Sequence, residues 1–303
     1  MGAQTRPWPP RLPRRCPNRL PSVRFEKWQA LGNDYLIVEV DQLPWALTPA
    51  RVGRLCDPHF GIGADGVLLL APSEDPAFVA QLRIFNPDGS EAELSGNGAR
   101  EAILYLRRHG WTEEDTFSII TAAGPVTPTI TSERTCSVAM GRASTTSKDF
   151  PDGGPDGTGT LSAAGRSWDF QHVSIGNPQC AIVAGEELES LDLSAIGPGI
   201  EGHALFPNRT NVSFLRIDGS RVRARIFERG VGETLSSGTG ASGAAVTAFL
   251  RGAPSPITVE LDGGELVVEI SEDLDVTLSG WAEQICAGEL SAELLSALAE
   301  LDG

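Results

Sequence analysis

The chain has no apolar run approaching the roughly 18 residues a membrane-crossing helix needs, so no helical membrane span is expected. Aromatic residues are scarce, at 6%, which argues against a platform for stacking nucleic-acid bases. Basic residues are few beside acidic ones, 24 against 40. Five of the arginines (Arg6, Arg11, Arg14, Arg15, Arg19) sit in the first 23 residues, where there is no acid, so the remainder is more acidic still. Such a body repels nucleic acid and anionic membrane, and neither is expected as a partner. Cysteine is sparse and scattered (Cys16, Cys56, Cys136, Cys180, Cys286), with no pair at C-x-x-C spacing and an odd count. With no secretory signal visible, that pattern points to reduced thiols in a cytoplasmic protein without a disulfide framework. The four histidines (His59, His109, His172, His203) are equally dispersed, and no metal site is expected.

What is present is a chain of 303 residues, 41% hydrophobic with 34 glycines, long enough for two domains. Residues 1–22, rich in proline and arginine, read as a disordered basic extension. Folded sequence begins near Val23. Residues 23–40 read as strand, Gly-Asn-Asp turn, strand, and residues 50–56 as a short helix. Further strands are expected at 67–71 and 81–86, the latter closed by Pro87-Asp88-Gly89. A helix is expected over 98–109, with Ala102, Ile103 and Leu106 on its apolar face and Gly110 as its stop. Residues 116–131 alternate as strands do, and 142–166 read as a loop or linker. Strands resume at 167–173, 180–183, 211–216 and 221–227; a helix follows over 239–251, then strands at 257–261, 265–270 and 275–280. Residues 289–301 form an amphipathic helix with Leu290, Leu294, Leu295, Leu298 and Leu301 on one face. Many strands with one long helix per half make an α+β architecture. The expected halves are 23–140 and 141–280, with 281–303 packing back on the fold.

One internal offset is informative. A shift of 142 residues superimposes Phe85 on Phe227, Glu91 on Glu233, Ser95 on Ser237, Gly96 on Gly238, Gly98 on Gly240 and Ala99 on Ala241. Each Ser-Gly-x-Gly-Ala run precedes a helix, so Ser95 and Ser237 are placed to cap orphan amides. Each helix start presents free N–H groups and the positive end of a dipole, a seat for a carboxylate or phosphate. Two such starts facing one another would hold one anionic group between the halves. Around them lie Asn33, Asn86, Asn97, Asn177 and Asn211, each in a turn or at a strand end, and the pair Glu228-Arg229. Amides with one acid and one guanidinium suit a zwitterionic amino acid, the arginine for a carboxylate and the glutamate for an ammonium.

At these residues the sequence resembles the diaminopimelate epimerase family. The resemblance is carried by Leu31-Gly32-Asn33-Asp34, Gly61-Ile62-Gly63-Ala64-Asp65, residues 85–100, Ser174-Ile175-Gly176-Asn177-Pro178, Arg209-Thr210-Asn211-Val212 and residues 227–241. It implies two pseudosymmetric domains, each a β-barrel-like sheet around a central helix, in a protein that is often dimeric. It implies cofactor-free interconversion of LL- and meso-diaminopimelate for lysine and peptidoglycan synthesis, one residue removing the α-proton while its partner reprotonates the opposite face. By that resemblance Ser95 and Ser237 are the acid/base pair, at positions where the family carries cysteines. Asn33, Asn86, Asn177, Asn211, Glu228 and Arg229 bind substrate. Backbone at Gly96, Asn97, Gly238 and Thr239 holds the reacting carboxylate. The family's Gly-Asn-Pro-His reads Gly-Asn-Pro-Gln here, ending at Gln179. Two other readings fit the same residues: a relative that uses an acidic base, Glu228, Glu91 or Glu233, for another isomerisation, and a non-catalytic amino-acid binder.

Overall fold

A computed structural model describes residues 22–93 and 95–301. Apart from Ser22, the extension expected over 1–22 lies outside the described residues. The first part of the chain runs β1 (Arg24–Ala30), β2 (Asn33–Glu39), α1 (Pro49–Cys56), β3 (Val67–Pro72), β4 (Ala80–Phe85), β5 (Glu91–Ala92), α2 (Gly96–Arg108), β6 (Ile119–Thr121), β7 (Gly124–Val126), β8 (Pro128–Ser132) and β9 (Thr135–Arg142). The second runs β10 (Thr158–Ala163), β11 (Arg166–Ser174), β12 (Pro178–Val183), α3 (Leu193–Glu201), β13 (Asn211–Asp218), β14 (Arg221–Glu228), β15 (Gly232–Thr234), α4 (Gly238–Leu250), β16 (Ile257–Leu261), β17 (Gly264–Ile270), β18 (Asp275–Trp281), β19 (Glu283–Glu289) and α5 (Ala292–Glu300).

The internal repeat of the sequence is a repeat of topology. In the first sheet, neighbours run β1-β2-β3-β4-β6-β7, with β2 parallel to β3, β4 parallel to β6 and the other pairs antiparallel. The second contains β11-β12-β13-β14-β16-β17 with the same alternation, β12 parallel to β13 and β14 parallel to β16. Each short strand after the fourth, β5 or β15, folds back on it, held by the same ion pair: Arg83 to Glu91 at 2.8 and 2.9 Å, Arg225 to Glu233 at 2.6 and 3.0 Å. These pairs are 142 residues apart and occupy two of the three glutamates considered above as alternative bases, Glu91 and Glu233.

Each sheet wraps a central helix. α2 packs on β1, β2, β3, β4 and β9, and α4 on β11, β12, β13, β14, β16, β17 and β18. α4 (GTGASGAAVTAFL) buries every residue from Gly240 to Ala248, as expected of a helix whose small residues let strands approach from all sides. α2 is buried continuously from Asn97 to Leu106, wider than the one-sided face expected of it, and so takes Arg100 and Glu101 into the interior. The near-continuous apolar run of β3 follows from cover on both faces: Leu68 and Leu70 face the α2 core, while Val67 and Leu69 join Val52, Leu55, Leu295 and Leu298 of α1 and α5.

The sheets do not divide where the sequence halves do. β8 and β9, before residue 143, belong to the second sheet through β9–β18 pairing, and β19 returns to the first sheet beside β1. Strand β19 was not expected from sequence. Its residues Ile285, Cys286 and Ala287 are exposed in an edge strand, so no clean alternation marks it. Helix α3 was likewise unexpected, since its LSAIGPGIE sequence carries two glycines and an internal proline. Among the described residues no helix is long and apolar enough to cross a membrane.

Candidate active site

Both serine turns are helix N-caps with the same geometry. Ser95 is extended (φ −125°, ψ 122°), and its Oγ accepts the amide of Gly98 at 3.1 Å. Ser237 is extended (φ −147°, ψ 122°), and its Oγ accepts the amide of Gly240 at 3.2 Å. The cap carbonyls take the next amides, Ala99 to Ser95 at 2.8 Å and Ala241 to Ser237 at 2.9 Å. The first two amides of each helix, on Gly96 and Asn97 and on Gly238 and Thr239, are left facing outward along the axis. Among the described residues, a Cβ built on Gly96 would meet only Arg100 Nη1, at 3.9 Å.

The two helix starts are tied together. Asn97 donates through Nδ2 to Ser236 Oγ at 2.8 Å, bridging residues that are 139 apart in sequence, one two positions after the Ser95 cap and the other directly before the Ser237 cap. The same amide reaches Asn33 Oδ1 at 3.4 Å, and Asn97 Oδ1 accepts a very short bond from the buried guanidinium of Arg100. The turn of residues 261–264 braces the loop before α4 from beneath, with Gly263 N–H donating to Leu235 O at 2.8 Å.

The other expected residues converge in part. Asn33, reached through the left-handed Leu31-Gly32 turn (φ +53° and +82°), donates to Asp65 Oδ2 at 2.9 Å. Asn177, after a left-handed Gly176 (φ +79°), donates to Thr239 Oγ1 at 3.2 Å and accepts from Gln179 Nε2 at 2.6 Å. Gln179 therefore positions Asn177 at the start of α4. Asn211 Oδ1 accepts the amide of Arg229 at 2.8 Å, and Glu228, at the end of β14, accepts from Ser237 Oγ and Thr234 Oγ1, each at 2.9 Å. The Arg229 guanidinium donates to Asn208 O at 3.0 Å. The Asn86 side chain is turned to Ser90 Oγ, 3.0 Å away within its own Pro87–Gly89 turn.

Three neighbours were not singled out from the sequence. Tyr35, in β2, donates its phenolic proton to Ser95 Oγ at 3.2 Å. The signal was its place two residues after Asn33 in a turn-to-strand motif, as Gln179 stands two after Asn177. Ser236 directly precedes the cap serine. Glu101 lies fully buried on α2, and neither carboxyl oxygen has a hydrogen-bond partner.

Burial governs the electrostatics. The Tyr35 phenol is pushed above its ordinary value mainly by desolvation; the bond to Ser95 opposes this and the charge of Glu101 adds to it. Desolvation raises the Glu101 carboxyl well above the usual range, the carboxylates of Asp34 and Asp65 add to this, and Arg100 opposes it. Desolvation also lowers the Arg100 guanidinium. The thiols of Cys56 and Cys136 are pushed up to about 11, and Cys180 higher still, so these buried cysteines stay protonated at neutral pH.

The model of the family described as diaminopimelate epimerase matches residues 25–146 and 171–282. The protein named diaminopimelate epimerase 2 of a Nostoc species is 40% identical over 280 residues, covering 90% of this chain and 98% of that protein. A diaminopimelate epimerase of a Synechocystis species is 39% identical over 277 residues, covering 88% and 99%. Solved structures share the fold at lower identity. A probable proline racemase of Agrobacterium radiobacter has a TM-score of 0.63 at 16% identity, covering 89% of this chain and 93% of that one. A phenazine biosynthesis protein of Bacillus anthracis has a TM-score of 0.62 at 18% identity, covering 90% and 100%.

Proposed function

The chain belongs to the diaminopimelate epimerase family, and on that premise we propose how its own residues interconvert LL- and meso-diaminopimelate. Ser95 and Ser237 are the acid/base pair, one on each side of the substrate α-carbon. The observation that carries this is the Asn97–Ser236 bond at 2.8 Å, which ties together the N-termini of the two helices that these serines cap.

The amides of Gly96, Asn97, Gly238 and Thr239 hold the α-carboxylate between the helix starts. Removing the α-proton drives negative charge onto that carboxylate, where two dipole ends and four fixed donors already point. The donors need no reorganisation as charge develops, and no cofactor takes part in this step. Asn33, Asn177 and Asn211 line the surroundings with neutral hydrogen-bonding groups, and Asn86 joins them by turning from Ser90. Glu228 and Arg229 supply opposite charges for the ammonium and carboxylate of a diamino dicarboxylic acid.

We place the reaction in the cytoplasm, in the synthesis of lysine and peptidoglycan, with a small amino acid as the partner required. A homodimer is expected from the family and is read by sedimentation. The test of function is incorporation of solvent deuterium at Cα of LL- and meso-diaminopimelate, alongside calorimetric binding of both. Exchange above background with either isomer is expected. Binding without exchange would leave an amino-acid binder and sink the epimerase reading.

A further inference from the structure

The two helix starts are built alike, and backbone amides alone do not tell one amino acid from another. What differs between the halves is the turn after the fourth strand of each repeat, Asn86-Pro87 in the first and Glu228-Arg229 in the second. With the four outward amides given to the α-carboxylate, the carboxylate left for Arg229 is one at the far end of the substrate. The Arg229 guanidinium donates to Asn208 O at 3.0 Å, and among the described residues no carboxylate pairs with it. Behind this turn stands Glu201, the last residue of α3 and only 5% exposed. Its Oε1 accepts both the amide of Gly230 at 2.6 Å and the guanidinium of Arg209 at 2.5 Å. Its backbone carbonyl accepts the amide of Thr210 at 3.1 Å. One buried residue thus joins two loops: 208–211, with the Asn208 carbonyl and the Asn211 side chain, and 228–231, with Arg229. Arg209 and Gly230 are both left-handed (φ +61° and +80°), so each loop turns sharply at the point that Glu201 holds. In the first half α1 lies between β2 and β3 as α3 lies between β12 and β13, but its PARVGRLC sequence carries no acid.

Resting on the assignment of Arg229 to a substrate carboxylate, we propose that Glu201 is a positioning residue for substrate selection. It fixes the turn that carries Arg229, so that the site takes amino acids with a second carboxylate in preference to those without one. A guanidinium recognises a carboxylate through a rigid planar fork of donors, so its direction counts as much as its charge. Holding the Gly230 amide sets that direction. The same oxygen also meets the charge of Arg209, while the charge of Arg229 one loop away stays uncompensated by protein carboxylates and faces the ligand.

Diaminopimelate and lysine are matched probes, because lysine is the same diamino chain without the second carboxylate. Calorimetry gives Kd for both with the unmodified chain, Glu201→Asp, Glu201→Gln, Arg229→Met and the double variant Glu201→Asp/Arg229→Met. Aspartate keeps the charge but withdraws the oxygen from Gly230 by one methylene. Glutamine loses the charge but keeps an oxygen in place for both donors. Glu201→Asp should weaken diaminopimelate binding by about tenfold or more, the scale of one hydrogen bond to a charged group. Lysine binding should change by less than about twofold, and Glu201→Gln should keep the preference for diaminopimelate within about threefold, each a small fraction of that bond. Adding Glu201→Asp to Arg229→Met should remove no further preference, since both act through one guanidinium. Equal weakening of the two ligands by Glu201→Asp, a loss in Glu201→Gln as large as in Glu201→Asp, or losses that add to that of Arg229→Met would each overturn the role of Glu201. The epimerase reading, which α-deuterium exchange in the unmodified chain tests, would then stand. An unmodified chain that binds both ligands equally well would overturn the assignment of Arg229, and the role of Glu201 with it.

Discussion

Glu101 is the residue whose chemistry is most sharply set by where the chain puts it. It lies on α2, fully buried, one position after Arg100, with both carboxyl oxygens lacking a hydrogen-bond partner. Burial alone outweighs the neighbouring guanidinium, and the carboxyl is held neutral well above its ordinary range. The linkage sign follows. A carboxyl with a raised folded-state pKa contributes its full stability below the unfolded value, about 4.3, and loses it as pH rises through the folded value. Relative to the unmodified chain, Glu101→Gln should therefore gain stability as pH rises above about 4, over the range in which the folded chain keeps this carboxyl protonated. Urea midpoints of the two proteins across that range check this, and parallel profiles would show that Glu101 ionises freely in the folded state. Nothing in the sequence isolates Glu101: in an amphipathic reading of α2 it falls on the polar face, and only a sheet wrapped fully around the helix buries it.

Among the elements, α2 and α4 are each capped by a serine to which the proposed function also gives the proton transfer. Each cap hydroxyl satisfies an amide that would otherwise be orphaned, and losing such a cap costs about 1 kcal/mol. Ser95→Ala and Ser237→Ala should each lower stability by about that amount and reduce α-proton exchange to background. Replacement by cysteine should keep or raise exchange. A chemical denaturation series beside the exchange assay separates the two effects: an alanine variant that loses about 1 kcal/mol yet exchanges normally would remove that serine from the proton-transfer step. These helices were legible because glycines, cap residues and the offset of 142 all point to the same turns. The boundaries of these two helices fell within two residues, α2 beginning at Gly96 where residue 98 was expected, whereas α5 begins at Ala292 where residue 289 was expected and β10 lies inside the 142–166 segment read as a loop. The edge strand β19 and the glycine-proline helix α3 were not legible, because their placement comes from what they dock against: β19 on β1, and α3 on β10, β13 and β15.

At the scale of the whole molecule, the site depends on two sheets held in one fixed relation. β9 leaves the first half to pair with β18, β19 leaves the second to pair with β1, and the Asn97–Ser236 bond closes the seam at the helix starts. The asparagine turns could be read from sequence singly. What brings Asn97 against Ser236, and the Leu31-Gly32 turn against Leu235 and Gly263, is this crossing of strands, which no local pattern announces. Gly263 tests how much the relation matters. A methyl built on it would lie 1.9 Å from Leu31 O and 3.1 Å from Leu235 O, between the left-handed turn leading to Asn33 and the loop leading to Ser237. Backbone atoms cannot yield at 1.9 Å, so Gly263→Ala must push the Leu31–Asn33 turn away from the start of α4. Overpacking of this kind costs about 1–3 kcal/mol. Because the displaced segments carry groups from opposite halves to which the proposed function gives substrate binding and proton transfer, the variant should raise KM for diaminopimelate and lower the exchange rate, beyond any fall in Tm. A variant that unfolds at lower temperature but keeps its KM would mean that the two halves tolerate relative movement without loss of the site. In that case the fixed relation between the sheets would serve stability alone.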